Sequence, residues 1–395
     1  MCYELKILNP EKIQNYHREF LNFPYELDCF SIVNGMNDLE CLNNPHLQSW
    51  MQFENFLIFG TGGSALGGEC LCETAKNSAK KIKFVSNLDA FELNKIFSET
   101  NFSKTGFLGI SKSGETLETI IQISIALELA SKNKLDIKKH FVFITENKNS
   151  SLKQLAENFG ILCLDHPKNI GGRYSVFSIV GMLPAMLAGL NPEKIRMGGQ
   201  LVFKNFQNII DSANFIYHNV TQNIFQHVSF IYSEKLRLLG QWIAQLYAES
   251  TGKSGHGITP ITAIGAVDQH SQLQLYLDGP NDKCFSFFVE KQEEEISVSE
   301  KFLPLSFSFL KNLKISKIFE AQSKATISTL IDKNRPVRIF EFSKVTEELI
   351  GALFMHFMME VVYVSKLMKI NPFDQPAVEK GKILTKKILG AFHDN

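Results

Sequence analysis

A dominant charge is the first thing this chain lacks. Its 395 residues carry 41 Lys+Arg and 41 Asp+Glu, a formal net charge of zero, so no global field grips nucleic acid or an anionic membrane. Any anionic ligand must therefore be caught locally. Paired cysteines are also missing. The seven present (Cys2, Cys29, Cys41, Cys70, Cys72, Cys163, Cys284) are odd in number and scattered, which argues against a disulfide scaffold or a zinc site and suits a reducing cytoplasm. Cys70 and Cys72 fall in a predicted helix, where packing is favoured over metal binding. No stretch offers the ~20 uninterrupted apolar residues of a membrane span. Tyr174–Leu190 is bordered by Arg173 and broken by Pro184, and Leu349–Met368 contains His356, Glu360 and Lys366. The start, Met1-Cys2-Tyr3-Glu4-Leu5-Lys6, lacks the basic-then-apolar order of a signal peptide. A cytoplasmic location without nucleic-acid or membrane partners is the expectation.

What is present is a hydrophobic content of 44% against 21% charged residues, enough apolar material for two cores. Residues up to about Trp50 read as a helical lead-in punctuated by Pro10, Pro24 and Pro45. A strand, Asn55–Phe59, then runs into Gly60-Thr61-Gly62-Gly63-Ser64-Ala65-Leu66-Gly67-Gly68 and a predicted helix. Strand, glycine-rich turn and helix start together bring free N–H groups to a ligand. The glycines do not match Gly-x-Gly-x-x-Gly, and no clear acidic ribose partner follows the next strand, Lys81–Val85, so a dinucleotide site has little support.

A third strand, Thr105–Ile110, precedes Ser111-Lys112-Ser113-Gly114-Glu115-Thr116-Leu117-Glu118-Thr119 and an apolar helix. Hydroxyls gathered at a helix start suit a phosphate, which would also meet the helix-end N–H groups and dipole. Helix capping by Ser113 is the plainer alternative, but it accounts for one hydroxyl rather than four. Further strands at His140–Thr145 and Ile161–Leu164 continue the alternation, which implies a parallel sheet covered on both faces. Arg173 is expected to open an apolar helix, where the dipole disfavours it and an anionic partner is needed. The alternation restarts after Thr221, with strands at Phe230–Tyr232, Lys283–Val289 and Pro336–Phe342 and a core helix from Thr346.

Glu249 attracts notice on its own. Leu239, Trp242, Ile243, Leu246 and Tyr247 recur at helical spacing, and Gly252 is expected to stop that helix. A carboxylate in the last turn, at the edge of the apolar stripe, faces the negative helix end and partial desolvation. Both raise its pKa and fit a group poised to take a proton. The plainer alternative is a solvated Glu neutralised by Lys253.

Taken in order, Gly62-Gly63-Ser64, the Ser111–Thr119 loop, Gly172-Arg173-Tyr174-Ser175, Glu249-Ser250-Thr251-Gly252-Lys253, Gln269-His270 and Phe373-Asp374-Gln375-Pro376 through Lys382 resemble the glucose-6-phosphate isomerase (phosphoglucose isomerase) family. The resemblance implies an α/β fold with two sugar-isomerase (SIS) domains, each a three-layer α-β-α sandwich with a mainly parallel sheet. The expected division is 1–215 for the lead-in and first domain, 216–375 for the second, and 376–395 for a helical tail carrying Lys382. It also implies reversible conversion of glucose 6-phosphate and fructose 6-phosphate, in glycolysis and gluconeogenesis, without cofactor or metal. By resemblance Ser111, Lys112, Ser113 and Thr116 hold the phosphate, while Gly63, Ser64, Gln245 and Gln375 contact the sugar. Glu249 moves the proton through a cis-enediol, and Arg173 stabilises the enediolate. His270 and Lys382 assist ring opening, with His270 supplied by the neighbouring subunit of a homodimer and oriented by Glu118.

Three positions depart from the family pattern. Glu115 puts a charge in the phosphate loop and is expected to point outward, Ala377 replaces a frequent glycine, and His256 lies near the catalytic turn. The chain is also shorter than the animal members. Rival functions are a bifunctional phosphoglucose/phosphomannose isomerase and a non-catalytic sugar-phosphate-binding regulator. A nicotinamide dehydrogenase has less support than either.

Overall fold

The structure is a computed structural model that describes residues 2–8, 13–14, 16, 26–75, 78–293 and 296–391. Pro10 and Pro24 lie outside the described residues. Among the described residues, ten strands form two five-stranded sheets. Their ranges are β1 Glu4–Ile7, β2 Asn55–Phe59, β3 Lys81–Val85, β4 Thr105–Ile110, β5 Phe141–Thr145, β6 Leu162–Asp165, β7 Gln226–Tyr232, β8 Thr259–Ile264, β9 Lys283–Glu290 and β10 Val337–Phe342. The first sheet has the order β3-β2-β4-β5-β6 and is parallel throughout. The second has the order β1-β10-β9-β7-β8, parallel except where β1 runs against β10.

Period-two alternation explains the layering, because successive side chains of a strand face opposite sides. On β2, Phe56 and Ile58 enter a central core, while Leu57 and Phe59 enter a separate outer core with Phe107, Phe143, Ile123 and Leu152. On the second sheet, Phe288 and Phe340 face the same central core, while Phe230, Phe285 and Phe287 face an outer one with Tyr276 and Leu330. Each sheet is thus covered on both faces, a three-layer α-β-α arrangement. Between the sheets runs the helix Glu347–Leu367, begun by Thr346, whose hydroxyl accepts from Leu349 N. Its most apolar window is 94% buried. The apolar stretch singled out in the sequence is therefore the centre of the core.

The N-terminal segment differs from the expected helical lead-in. Glu4-Leu5-Lys6-Ile7 is a strand joined to the second sheet, and four residues of alternating polarity are too few to show their period against the helical stretches that follow. The expected division at 215–216 falls inside the helix Gln207–Thr221, whose continuous hydrogen bonding leaves no linker there. The strand β8 escapes a sequence reading because it contains Pro260, which a sheet tolerates at an edge, and β8 is an edge strand.

Candidate active site

Between the two sheets opens a cavity of about 880 Å³. On the first sheet it lies beyond the carboxyl ends of β2 and β4. The chain passes from β2 to β3 on one side and returns to β4 on the other, the switch point at which open α/β sheets bind ligands. The wall is completed by the turn Gly172–Tyr174, the helix Leu239–Thr251 and residues of the C-terminal arm.

The glycine-rich turn after β2 owes its composition to packing. A Cβ on Gly63 would lie 2.2 Å from the carbonyl carbon of Gly172 and 2.5 Å from Arg173 N, closer than any side chain allows. Gly62 has φ +58°, a region glycine adopts without strain. Glycine here lets two backbone turns touch, and that contact sets Arg173 against Gly63 and Ser64 at the cavity wall.

The hydroxyl loop after β4 is preorganised. Ser111 Oγ and Thr116 Oγ1 are 2.8 Å apart, and Ser111 Oγ accepts from Gly114 N at 3.1 Å. Ser113 Oγ accepts from Glu115 N and does not cap the helix Leu117–Lys132. The cap position of that helix, Thr116, makes no side-chain cap hydrogen bond. Lys112, Ser113, Thr116 and Glu118 reach the cavity wall, whereas Ser111 is buried behind it. Lys112 Nζ donates to Lys168 O at 3.0 Å and sits 3.5 Å from Glu146.

Glu115 also borders the cavity, but its carboxylate turns to the helix Ser151–Phe159. It accepts from Ser151 N at 2.6 Å and Ser151 Oγ at 2.7 Å. These bonds hold its carboxyl below the usual range, and the neighbouring Gly114 O accepts from Leu152 N. The acid in this loop serves a helix end.

Glu249 sits in the last turn of the helix Leu239–Thr251, which Gly252 follows. One carboxylate oxygen accepts from Gln245 Nε2 at 2.9 Å and the other from Arg173 Nη1 at 3.1 Å. Its side chain is 31% exposed and opens to the cavity, while that of Arg173 is 4% exposed. Lys253 is not its counterion, because that ammonium pairs with Asp374 at 3.1 Å. Nor does Arg173 open the apolar helix. That helix is Ile179–Leu187, capped by Ser178, and Arg173 lies upstream in the turn Gly172–Tyr174.

Arg173 is a hub. Nε donates to Ser250 Oγ at 2.9 Å, Nη1 also reaches Gln375 Oε1 at 3.5 Å, and Nη2 donates to Asp374 O at 3.2 Å and to Pro372 O. Tyr174 OH bonds Ser250 Oγ at 2.8 Å and Pro372 O at 3.3 Å. Beyond Gln375, the turn Pro376–Val378 holds Ala377, and the helix Glu379–Ala391 carries Lys382 to the wall, where its ammonium pairs with Glu379 at 2.7 Å.

Thus Gly63, Ser64, Lys112, Ser113, Thr116, Glu118, Arg173, Gln245, Glu249, Gln375 and Lys382 share one cavity. His270 does not join them within this chain. It is exposed in a turn whose preceding residue, Gln269, is pinned by its amide to Tyr232 OH and Thr326 Oγ1, both at 2.6 Å. His256 closes a tight turn by exchanging backbone hydrogen bonds with Lys253. Sequence reading gives no role to Tyr174, Ser250, Asn371 or Pro372. The first two adjoin Arg173 and Glu249 in the chain, a signal that is legible. The backbone carbonyls of Asn371 and Pro372 accept from Lys253 and Arg173, contacts that side-chain chemistry does not reveal.

Known proteins resemble this chain over most of its length. The family model described as phosphoglucose isomerase matches residues 48–395. A glucose-6-phosphate isomerase of Campylobacter jejuni is 33% identical over 355 residues, 86% of either chain. Among solved structures, a hypothetical protein from Thermus thermophilus superposes with TM-score 0.85 at 28% identity, covering 92% of this chain and 90% of its own. A glucose-6-phosphate isomerase from Chlamydia trachomatis superposes at 0.78 and 20% identity, over 93% of this chain and 75% of that one, a likeness of fold. With a family model spanning most of its length and a relative a third identical across 86% of both chains, this protein belongs to the phosphoglucose isomerase family.

Proposed function

We propose that the cavity interconverts glucose 6-phosphate and fructose 6-phosphate by proton transfer between C2 and C1. The observation that carries the reading is a cavity-facing carboxylate, Glu249, held by one cation and one amide, in the same cavity as an uncapped helix start ringed by hydroxyls. The phosphate sits on Ser113, Thr116 and the first N–H groups of Leu117–Lys132, with Ser111 bracing Thr116 and Lys112 nearby. Gly63, Ser64, Gln245 and Gln375 contact the sugar.

With the ring open, Glu249 takes the C2 proton as the C1=C2 bond forms and charge moves to O1. Arg173 stabilises the enediolate, where its charge matters most. Glu249 returns the proton to C1 while O2 gives up its own and becomes the carbonyl oxygen. The net change is one hydrogen from C2 to C1 and one from O2 to O1. Lys382 serves the ring-oxygen side during opening. His270 reaches this site from a second copy of the chain, oriented there by Glu118, so the working unit is a homodimer. The location is the cytoplasm, and the role is glycolytic and gluconeogenic. We propose the break between domains at 222–225, before β7, with β1 belonging to the second domain and the tail beginning near residue 376.

A coupled assay of the purified protein with fructose 6-phosphate tests the activity, with mannose 6-phosphate run beside it. Formation of glucose 6-phosphate alone is expected, and no turnover would sink the reading. The shared site is tested by mixing Glu249→Gln with His270→Ala after reversible dissociation. Recovery of activity is expected, because one site in each mixed dimer keeps both residues. No recovery from mixed dimers shown to form would rule out donation between subunits.

A further inference from the structure

Two cations grip one loop beside the cavity, and the proposed reaction uses only one of them. Arg173 binds the carbonyls of Pro372 and Asp374. Lys253, four residues after Glu249, directs its ammonium to Ser250 O at 3.1 Å, to Asn371 O and to Asp374 Oδ1 at 3.1 Å. An ammonium has three protons, and here all three have acceptors. The base of Lys253 is itself fixed, since its backbone exchanges hydrogen bonds with His256 across the turn Ser254-Gly255. The side chain is 11% exposed and that of Asp374 53%.

What lies downstream gives this clasp its meaning. The arm from Pro376 to Ala391 is exposed at every residue, so no buried face of its own fixes its position. It nevertheless forms a wall of the cavity through Val378, Glu379, Gly381, Lys382, Ile383 and Lys386. Its placement is set where it leaves the core, at Asn371–Gln375. That segment is tied to the end of the Glu249 helix by Lys253, to Arg173, and to Tyr174, whose ring meets Phe373 at 5.4 Å.

We infer that Lys253 is a positioning residue: it ties the root of the C-terminal arm to the end of the helix bearing Glu249, fixing Gln375 and Lys382 at one distance from the base. The inference rests on the isomerase reading for its catalytic consequence, although the attachment of the arm is measurable without it. Because the phosphate loop belongs to the other sheet, loss of the clasp misplaces the arm and leaves phosphate binding alone. A small displacement of positioned groups lowers turnover far more than binding.

The test uses full-length Lys253→Met, which keeps the apolar stem and removes the ammonium. We expect kcat for ring-closed substrate to fall by about 10- to 100-fold, with KM within about threefold and a smaller loss on an open-chain analogue. Hydrogen exchange should quicken in 376–391 and stay unchanged in β7, β9 and Leu239–Thr251. Lys253→Arg should recover most of the activity. Should Lys253→Met unfold, Asp374→Asn, at an exposed position, is expected to move both readouts the same way by less. Unchanged exchange in the arm overturns the inference, even if activity is lost. So does a quickened arm with normal kcat. A wild-type protein without isomerase activity but with a clasp-dependent arm would instead refute the reaction and leave the attachment standing.

Discussion

Two arginine–glutamate pairs sit one beside the cavity and the other in the core, and their surroundings are opposite. Arg338–Glu360 is sealed, both side chains 0% exposed. Arg338 Nη2 donates to one carboxylate oxygen at 3.1 Å and Nη1 to the other, Tyr247 OH and Ser212 Oγ donate as well, and His356 lies 3.5 Å away. Burial alone would push the Glu360 carboxyl up, but Arg338 and His356 hold it well below the usual range. Arg173–Glu249 has the same two residue types, yet its carboxylate is 31% exposed and faces a cavity. The sealed pair has nothing left to bind, whereas the carboxylate of the open one still borders the cavity. Ionic pairs of like composition thus differ in what their carboxylates still face.

The sharpest break in this comparison is the pair of substitutions Glu249→Gln and Glu360→Gln. The first should lower turnover by at least ~10³-fold, with unfolding free energy within about 1 kcal/mol of wild type, as befits a partly solvated pair. The second should destabilise by roughly 3–5 kcal/mol, because it leaves Arg338 buried and unpaired, while kcat per folded molecule stays near wild type. Urea unfolding and the coupled assay on the same samples check both. A Glu360→Gln protein that keeps its stability, or a Glu249→Gln protein that keeps its turnover, would erase the distinction.

Acid should act next, through two buried histidines, one in the sealed core and one behind the cavity. His227, buried beside Tyr247 and bonded to Ser286 at 2.6 Å, is pulled down to about 3 by burial and by Arg338. His166, near Lys112 and Glu146, is pulled to about 4, chiefly by burial. Both folded values lie below the ordinary 6.5, so the unfolded chain takes up protons first. Their contribution is whole well above pH 6.5 and is lost as pH falls through about 4 for His166 and about 3 for His227, by about 2 kcal/mol for each histidine between pH 7 and 5. Melting temperatures at pH 7 and 5 check this, and His166→Asn should flatten part of the slope.

The smallest effect concerns the open region. Glu115→Gln removes a charged partner of the helix Ser151–Phe159, a contact worth about 1 kcal/mol, and should raise KM for the phosphate ester by roughly two- to fivefold with kcat little changed. If the Glu115 charge instead faced the phosphate, the same change would lower KM. The sign decides between them.

Much of the site is legible in the sequence because its chemistry is local in the chain. The Ser111–Thr116 loop and the Gly60–Ser64 turn each follow a strand that shows its buried period, and Glu249 stands on a helix whose apolar stripe is plain. Lys253 misleads for the same reason: proximity in sequence offers Glu249 as its partner, and the fold offers a carboxylate 121 residues farther on. β1 stays hidden because a four-residue strand is specified by the partner it meets, here β10, more than 300 positions away.

The sequence by itself determined the alternation of strands and helices, the positions of the Ser111–Thr116 loop and of Glu249, and the kinship, since each is written in residue types within a few positions of one another. Only the tertiary structure decided which arginine meets which glutamate, that Glu115 serves a helix end, and what roots the C-terminal arm. Charge pairing depends on distance and burial, and both are set by how remote segments pack.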